Sequence, residues 1–353
     1  MVSAVVESLG HRRGELYRAV AGSTSVECTA CAHECVIADG EAGVCRVRFN
    51  QGGELQVPWG YVFGMFSTPI EKAPFAHVLP GARVTSFSML GCNMHCAYCH
   101  NWGVSQAFKD RKAQGPGIAH DAEDLVRFAV RDKAAAIVSA YNEPLITSEW
   151  AAEIFRLAHI AGLRTGFVSN GHGTPEVLRF LRPYLDFLRI DLKDATDEGY
   201  RELGARLQPV LDSIDLARRL GIWLELVTCL VPGLNDSDEN VERMATMIRE
   251  FSPDIPWHLT AFHPDYKMKT TLSTSPAALV RAAEIATRVG LRFVYCAHHL
   301  VGQVGRWQHT YCPECQRRLI ARRGFDVLEN QLRDDGRCAD CAYTMPGFWR
   351  AAA

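Results

Sequence analysis

Residues 83–101 read Arg-Val-Thr-Ser-Phe-Ser-Met-Leu-Gly-Cys-Asn-Met-His-Cys-Ala-Tyr-Cys-His-Asn. The first part, Arg83–Met89, is a strand candidate. The second part puts Cys92, Cys96 and Cys99 on the loop directly after it. The same order, a strand and then chemistry-bearing residues, recurs downstream. Further strand candidates are Ala135–Ala140, Thr165–Ser169, Phe187–Leu192, Trp223–Thr228, Trp257–Ala261 and Arg292–Tyr295, apolar runs of the kind that buried parallel strands need. Tyr141, Asn142 and Glu143 follow the second strand, and Ser169, Asn170 and His172 the third. Asp191 and Lys193 end the fourth; Glu225, Thr228 and Cys229 end the fifth; His263 follows the sixth. Active sites of (β/α) barrels lie at the C-terminal ends of their strands. Six such positions in register imply one shared site.

Helix candidates separate the strands. Ser148 is placed to cap a helix carrying Trp150, Ile154 and Leu157 on one face, and Thr174-Pro175 is a cap followed by a first-turn proline. Val210–Leu220, Val241–Phe251 and Pro276–Val289 share the periodicity. Alternating strands and helices predict an α/β fold with a parallel sheet. Six or seven units over about 220 residues fall short of the roughly 250 of an eight-unit barrel. The expectation is a partial (β/α)6 TIM-like barrel, with a doubly wound open sheet as the alternative. Cys-rich segments flank it, giving an expected division into residues 1–80, 81–300 and 301–353.

Composition narrows the class. The 353 residues carry 38 Lys plus Arg against 40 Asp plus Glu, a net charge of -2, so no basic field recommends nucleic acid or an anionic membrane. No apolar run reaches the roughly 18 residues of a membrane span. Met1 to Arg13 holds Glu7, His11, Arg12 and Arg13 and no apolar core, unlike a secretory signal. Thirteen cysteines in such a chain point to metal or cluster ligation in a reducing cytoplasm, not to disulfides.

The spacing C-x3-C-x2-C at Cys92, Cys96 and Cys99 offers three thiolates to a cubane cluster, leaving one iron open to another ligand. A zinc loop completed by His95 or His100 is the alternative. Cys312, Cys315, Cys338 and Cys341 form two C-x2-C knuckles suited to zinc or a single iron in a zinc-ribbon-like or rubredoxin-like region. Scaffolding, partner contact and contact with the barrel mouth are its open roles. Cys28, Cys31, Cys35 and Cys45 suit zinc or a second iron–sulfur cluster equally. Cys229 faces the expected site but reads as a buried inert thiol, and His298 and His299 are candidates to meet substrate.

With Tyr98 before the third cysteine, the loop resembles the signature of radical S-adenosylmethionine (SAM) enzymes, in the branch of the pyruvate formate-lyase activating enzyme. The resemblance continues through Tyr141-Asn142-Glu143-Pro144, Ser169-Asn170-Gly171, Ile190-Asp191-Leu192-Lys193, Val231–Asp236 and Phe262-His263. With the Cys-rich ends it is similar to the radical SAM member of the AmmeMemoRadiSam system. It implies a [4Fe-4S] cluster on Cys92, Cys96 and Cys99, and SAM contacted by Tyr98, Asn142, Glu143, Ser169, Asn170, Asp191, Lys193 and His263. It also implies reductive cleavage of SAM to a 5′-deoxyadenosyl radical that takes hydrogen from a protein or small-molecule substrate. Partners it implies are a flavodoxin- or ferredoxin-type electron donor and Memo-like and AMMECR-type proteins. Two departures stand out: Val168 replaces an Asp of a cation site, and Asn142 replaces the second glycine of a Gly-Gly-Glu turn. A zinc-bearing interaction protein without catalysis is the reading from a different class.

Overall fold

The computed structural model describes residues 9–113, 117–296 and 302–349. His298 and His299 lie outside the described residues. One sheet dominates. Its strands are β1 (Gly64–Pro69), β2 (Arg83–Ser88), β3 (Ala136–Ser139), β4 (Arg164–Ser169), β5 (Phe187–Asp191), β6 (Trp223–Leu230), β7 (Trp257–Ala261) and β8 (Val294–Cys296). Their spatial order is their chain order. Strands β2 to β8 pair in parallel, and β1 runs antiparallel along β2.

A doubly wound sheet reverses its strand order at a switch point. Here the order never reverses, so every crossover turns the same way and the helices collect on one face. These are α1 (Ala122–Arg131), α2 (Ser148–Ile160), α3 (Pro175–Leu181), α4 (Asp197–Glu202), α5 (Leu207–Arg219), α6 (Asp238–Phe251) and α7 (Pro276–Val289). The sheet curls with its other face inward, and β1 and β8 do not pair among the described residues. The result is a partial barrel whose seven parallel strands match the seven strand candidates, at the upper end of the six or seven units expected.

Strand alternation builds two cores. Phe87, Ile137, Phe167, Leu188 and Ile190 belong to the core shared with the helices. Val84, Ala136, Val138 and Phe187 meet Ile70, Phe75, Val78 and Leu79 on the inner side. Residues 70–82 thus plug the barrel at the N-terminal ends of its strands. Gly166 keeps β4 close to β5, since a methyl group there would meet the Phe187 ring at 2.0 Å. The helix starts follow local chemistry. Thr174 caps α3 by accepting the Val177 N–H at 3.2 Å. Ser148 does not cap α2: Pro144 starts a 3-10 turn (Pro144–Thr147) that runs straight into the helix, and the Ser148 hydroxyl donates back to the Leu145 carbonyl at 2.9 Å. No helix among the described residues is long and apolar enough to cross a membrane.

The Cys-rich ends dock at opposite poles. The C-terminal antiparallel sheet (Thr310–Tyr311, Arg318–Arg323, Asp326–Asn330) joins the plug, not the mouth. Arg322 donates to the Ala76 carbonyl at 2.7 Å, and the Leu79 N–H donates to the Phe348 carbonyl at 2.7 Å. The N-terminal segment sits over the C-terminal ends of the strands. A fully buried pair fastens it: the Arg48 guanidinium grips the Glu149 carboxylate of α2 with two bonds of 2.7 Å. Removing one member of such a pair strands a buried charge, which costs about 3–5 kcal/mol. Arg48→Met is therefore expected to lose about 3–5 kcal/mol in urea unfolding. Arg48→Met/Glu149→Leu should recover most of it; an equally unstable double variant would refute the pairing account.

Candidate functional site

Glu143 gathers the strand ends. Its Oε1 accepts from the Leu145 N–H at 3.0 Å and the Ser169 hydroxyl at 2.7 Å, and its Oε2 from the Asn170 N–H at 2.8 Å. Its own N–H donates to the Gly91 carbonyl at 3.2 Å. The ends of β3 and β4 and the start of the thiol loop are tied to one residue. Burial pushes the Glu143 carboxyl up to about 7, although these three donors pull the other way. Tyr141, before it, sits at φ +73°, a left-handed conformation that a bulky side chain occupies at a cost of about 1–3 kcal/mol. That strain marks the turn where the resemblance placed two glycines. The Asn142 amide braces the same turn, accepting from the Met89 N–H at 3.0 Å and donating to the Glu143 carbonyl at 3.2 Å.

The thiol loop is held on all sides. Lys109 Nζ donates to the Cys92 and Met94 carbonyls at 2.7 and 3.1 Å. The Lys267 N–H donates to the Ala97 carbonyl at 3.1 Å, and Trp102 Nε1 to Asp265 at 3.2 Å. The Asn170 amide nitrogen lies 2.7 Å from Asn93 Oδ1 and 3.8 Å from Cys92 Sγ. Cys99 Sγ is 3.2 Å from the Ser105 hydroxyl, and burial pushes the Cys96 thiol up to about 11. The histidines weighed as a fourth zinc ligand point elsewhere. The His100 ring stacks on His263 at 3.7 Å with its Nε2 3.1 Å from the His263 carbonyl, and His95 packs against Gly204. Three thiols without a close fourth ligand among the described residues fit a cubane with one open iron.

Asp191 forms the second charged centre. It accepts from Arg189 at 2.8 Å and Lys193 Nζ at 3.0 Å. Burial raises its carboxyl, but Lys193 and Arg189 prevail and hold it below the usual carboxylate range. Burial lowers Lys193 and Asp191 more than reverses it, with Cys96 and Tyr98 also in its field. The negative charge of Asp191 also adds to the rise at Glu143. Burial pushes the Cys229 thiol up to about 12.

The structure thus brings Cys92, Cys96, Cys99, Tyr98, Glu143, Ser169, Asn170, Asp191, Lys193 and Cys229 together. His263 is exposed at the rim against His100. Two expected members fall elsewhere. Glu225 accepts from the Ala76 and His77 N–H groups at 2.8 and 2.9 Å, deep in the plug, because β6 runs on to Leu230. The Thr228 hydroxyl braces the Leu192 carbonyl at 2.6 Å. Val168 brings no carboxylate to its position on β4. Arg189 and Asn93 escaped the sequence reading. A lone Arg inside the apolar strand Phe187–Asp191 was a usable signal, since a buried charge needs a partner.

At the other pole the sulfurs of Cys312, Cys315, Cys338 and Cys341 all lie within 4.8 Å of one another. Cys312 is 3.5 Å from Cys341 and Cys315 3.6 Å from Cys338. A tetrahedral ion with bonds of about 2.3 Å sets its sulfurs about 3.8 Å apart, so this cage fits a single zinc or iron.

A family model described as the Radical SAM superfamily matches residues 87–246. An uncharacterized protein of Methanocaldococcus jannaschii is 33% identical over 319 residues, covering 90% of this chain and 93% of that protein. The pyruvate formate-lyase-activating enzyme of Clostridium pasteurianum is 26% identical over 48% of this chain and 71% of its own length. Among solved structures, a radical SAM methyltransferase from Sphaerobacter thermophilus gives a TM-score of 0.49 at 17% identity, over 62% of this chain and 66% of that one.

Two outcomes follow from this geometry. The raised Glu143 carboxyl favours the fold when protonated, so its contribution is full below its ordinary value and fades as pH rises through about 7. The stability difference between wild type and Glu143→Gln should fall by at most about 3 kcal/mol between pH 4.5 and 7.5. Parallel stability curves over that range would contradict it. Stripping the C-terminal ion with a chelator should lower the thermal midpoint by several degrees, with recovery on adding zinc or ferrous iron; an unchanged midpoint would remove the ion from the fold's support.

Proposed function

We propose, from the premise that the chain belongs to the radical SAM superfamily, that it is a SAM-cleaving oxidoreductase of the activating-enzyme type. The family uses a [4Fe-4S] cluster and SAM; bound together they supply one-electron cleavage of the sulfonium and a 5′-deoxyadenosyl radical. The observation that carries the reading is the meeting of three thiols that lack a close fourth ligand among the described residues with a buried carboxylate bonded there only by neutral donors. Cys92, Cys96 and Cys99 would hold the cluster. Glu143, whose three bonds come only from neutral donors, would receive the SAM ammonium in a charge-assisted bond. Lys193, oriented by Asp191, would meet the carboxylate of SAM. Ser169 and Asn170 would set the ribose side, with Asn142 fixing the turn, Tyr98 walling the cluster and His263 closing over the adenine at the rim.

Residues 81–300 would form the catalytic unit and residues 1–80 and 301–353 its metal-bearing flanks. The substrate would be a glycine-type position of a protein or peptide. A flavodoxin- or ferredoxin-type protein would supply the electron. Memo-like and AMMECR-type proteins of an AmmeMemoRadiSam system would be the first partners to try.

The test is anaerobic. Reconstituted wild type with dithionite and SAM should form 5′-deoxyadenosine, Cys92→Ala should form none, and Glu143→Ala should need at least tenfold more SAM. Wild type with an intact cluster and bound SAM but no product, even with candidate partners added, would defeat the proposal.

A further inference from the structure

We propose that Cys28, Cys31, Cys35 and Cys45 hold a second [4Fe-4S] cluster, seated against the Cys92 loop, that passes electrons into it. The relay depends on the reading of Cys92, Cys96 and Cys99 given above; the second cluster does not.

Spacing is the first support. The Cys28 N–H donates to the Cys35 carbonyl at 2.9 Å and the Glu34 N–H to the Cys31 carbonyl at 3.0 Å, and a methyl group on Gly43, two residues before Cys45, would lie 3.4 Å from Cys35 Sγ, so the four are gathered. They are nevertheless not gathered as the C-terminal four are. Among the described residues, only Cys312, Cys315, Cys338 and Cys341 form a set of three or more with ligand atoms within 4.8 Å of one another. One tetrahedral ion requires sulfurs about 3.8 Å apart. Among the described residues no three of the N-terminal thiols fall within that 4.8 Å limit, nor do Cys92, Cys96 and Cys99, the set read above as holding a cubane.

An unpartnered donor is the second support. Arg48 is 1% exposed, and its Nη atoms are taken by Glu149 and the Ile146 carbonyl. Its Nε–H has no hydrogen-bond partner among the described atoms. Such an orphan costs about 1–3 kcal/mol. Cys45 packs with Val47 and Ile146, the residue whose carbonyl Arg48 binds at 3.1 Å. A ligating thiolate or cluster sulfide there would accept this N–H, and hydrogen bonds to sulfur help set a cluster's potential.

Position is the third. A methyl group on Gly91, the residue before Cys92, would lie 3.4 Å from the Cys45 carbonyl oxygen. His33 Nε2 lies 3.0 Å from the carbonyl of Asn93, the residue after Cys92. The two thiol-bearing segments therefore touch on both sides of Cys92. A purely structural ion needs no such place; an electron relay does. A reduced low-potential carrier protein gives up one electron. The N-terminal cluster takes it, passing from a 2+ to a 1+ core, then returns to 2+ as the cluster at Cys92 makes the same change. No bond in the protein forms or breaks.

The full chain is reconstituted anaerobically with iron and sulfide, and iron, sulfide and zinc are counted. Wild type should hold about eight cluster irons, and Cys28→Ala/Cys45→Ala and Cys92→Ala/Cys96→Ala/Cys99→Ala should each lose about four. About four cluster irons in wild type, with a zinc that only the first variant loses, overturns the second cluster. The triple variant should keep the N-terminal cluster even if the Cys92 loop does no chemistry, which separates the two failures. Fully reduced wild type, needing no variant, should show a resonance signal broadened by coupling between two clusters; an unbroadened one-cluster signal overturns the proposal even if Cys28→Ala/Cys45→Ala does not fold. With reduced ferredoxin that variant should form 5′-deoxyadenosine at least tenfold more slowly than wild type, and at near wild-type rate with dithionite. Equal rates with both donors, or equal losses with both, overturn the relay.

Discussion

The buried carboxylate of Glu143 demands donors, and the arrangement of the strand ends follows from that demand. A carboxylate at 2% exposure without hydrogen bonds would be prohibitively costly. Leu145, Ser169 and Asn170 answer it, which draws the end of β4 onto the turn after β3. The N–H of the same residue then holds Gly91, so the thiol loop begins at a fixed height above the sheet. None of these donors is charged, and burial still outweighs them. The site is therefore held rigid while short of one positive charge, a state that a cationic ligand relieves. Asp191 differs: Arg189 and Lys193 already neutralise it, leaving Lys193 as the cation of the opposite wall.

Much of this was legible in the sequence because parallel strands buried on both faces write themselves as apolar runs. Trp257–Ala261 was read at its observed bounds, and Phe187–Asp191 within one residue. Strand β1 was not, because Gly-Met-Phe-Ser-Thr-Pro lies at the sheet edge with mixed exposure and lacks that run. Helix α1 was not read either, although Leu125 and Ala129 keep helical spacing on its buried face. The strand-end residues were found since their place follows from chain order alone. Glu225 was misplaced because its strand continues five residues past it, a length that no local signal gave. Arg48 and Glu149, 101 residues apart, could not be paired from sequence: long-range ion pairs leave no periodicity behind.

The polarity of the barrel gives the two Cys-rich ends different physical tasks. At the lower end, residues 70–82 fill the interior, and the C-terminal sheet seals them with backbone and guanidinium bonds around a cage sized for one ion. The plug still reaches one strand end: Arg189, which donates to Asp191 at 2.8 Å, also donates to the Ala73 carbonyl at 3.2 Å. At the upper end the N-terminal segment is pinned by Arg48 to Glu149, on the helix that begins just beyond Glu143. Its cysteines approach the thiol loop because that helix and that loop both spring from strands braced by Glu143. The same contacts that bury the carboxylate thus set the distance between the two upper thiol sets. A change at this junction must act on both, whereas a change at the lower cage reaches the site only by way of the plug and Arg189.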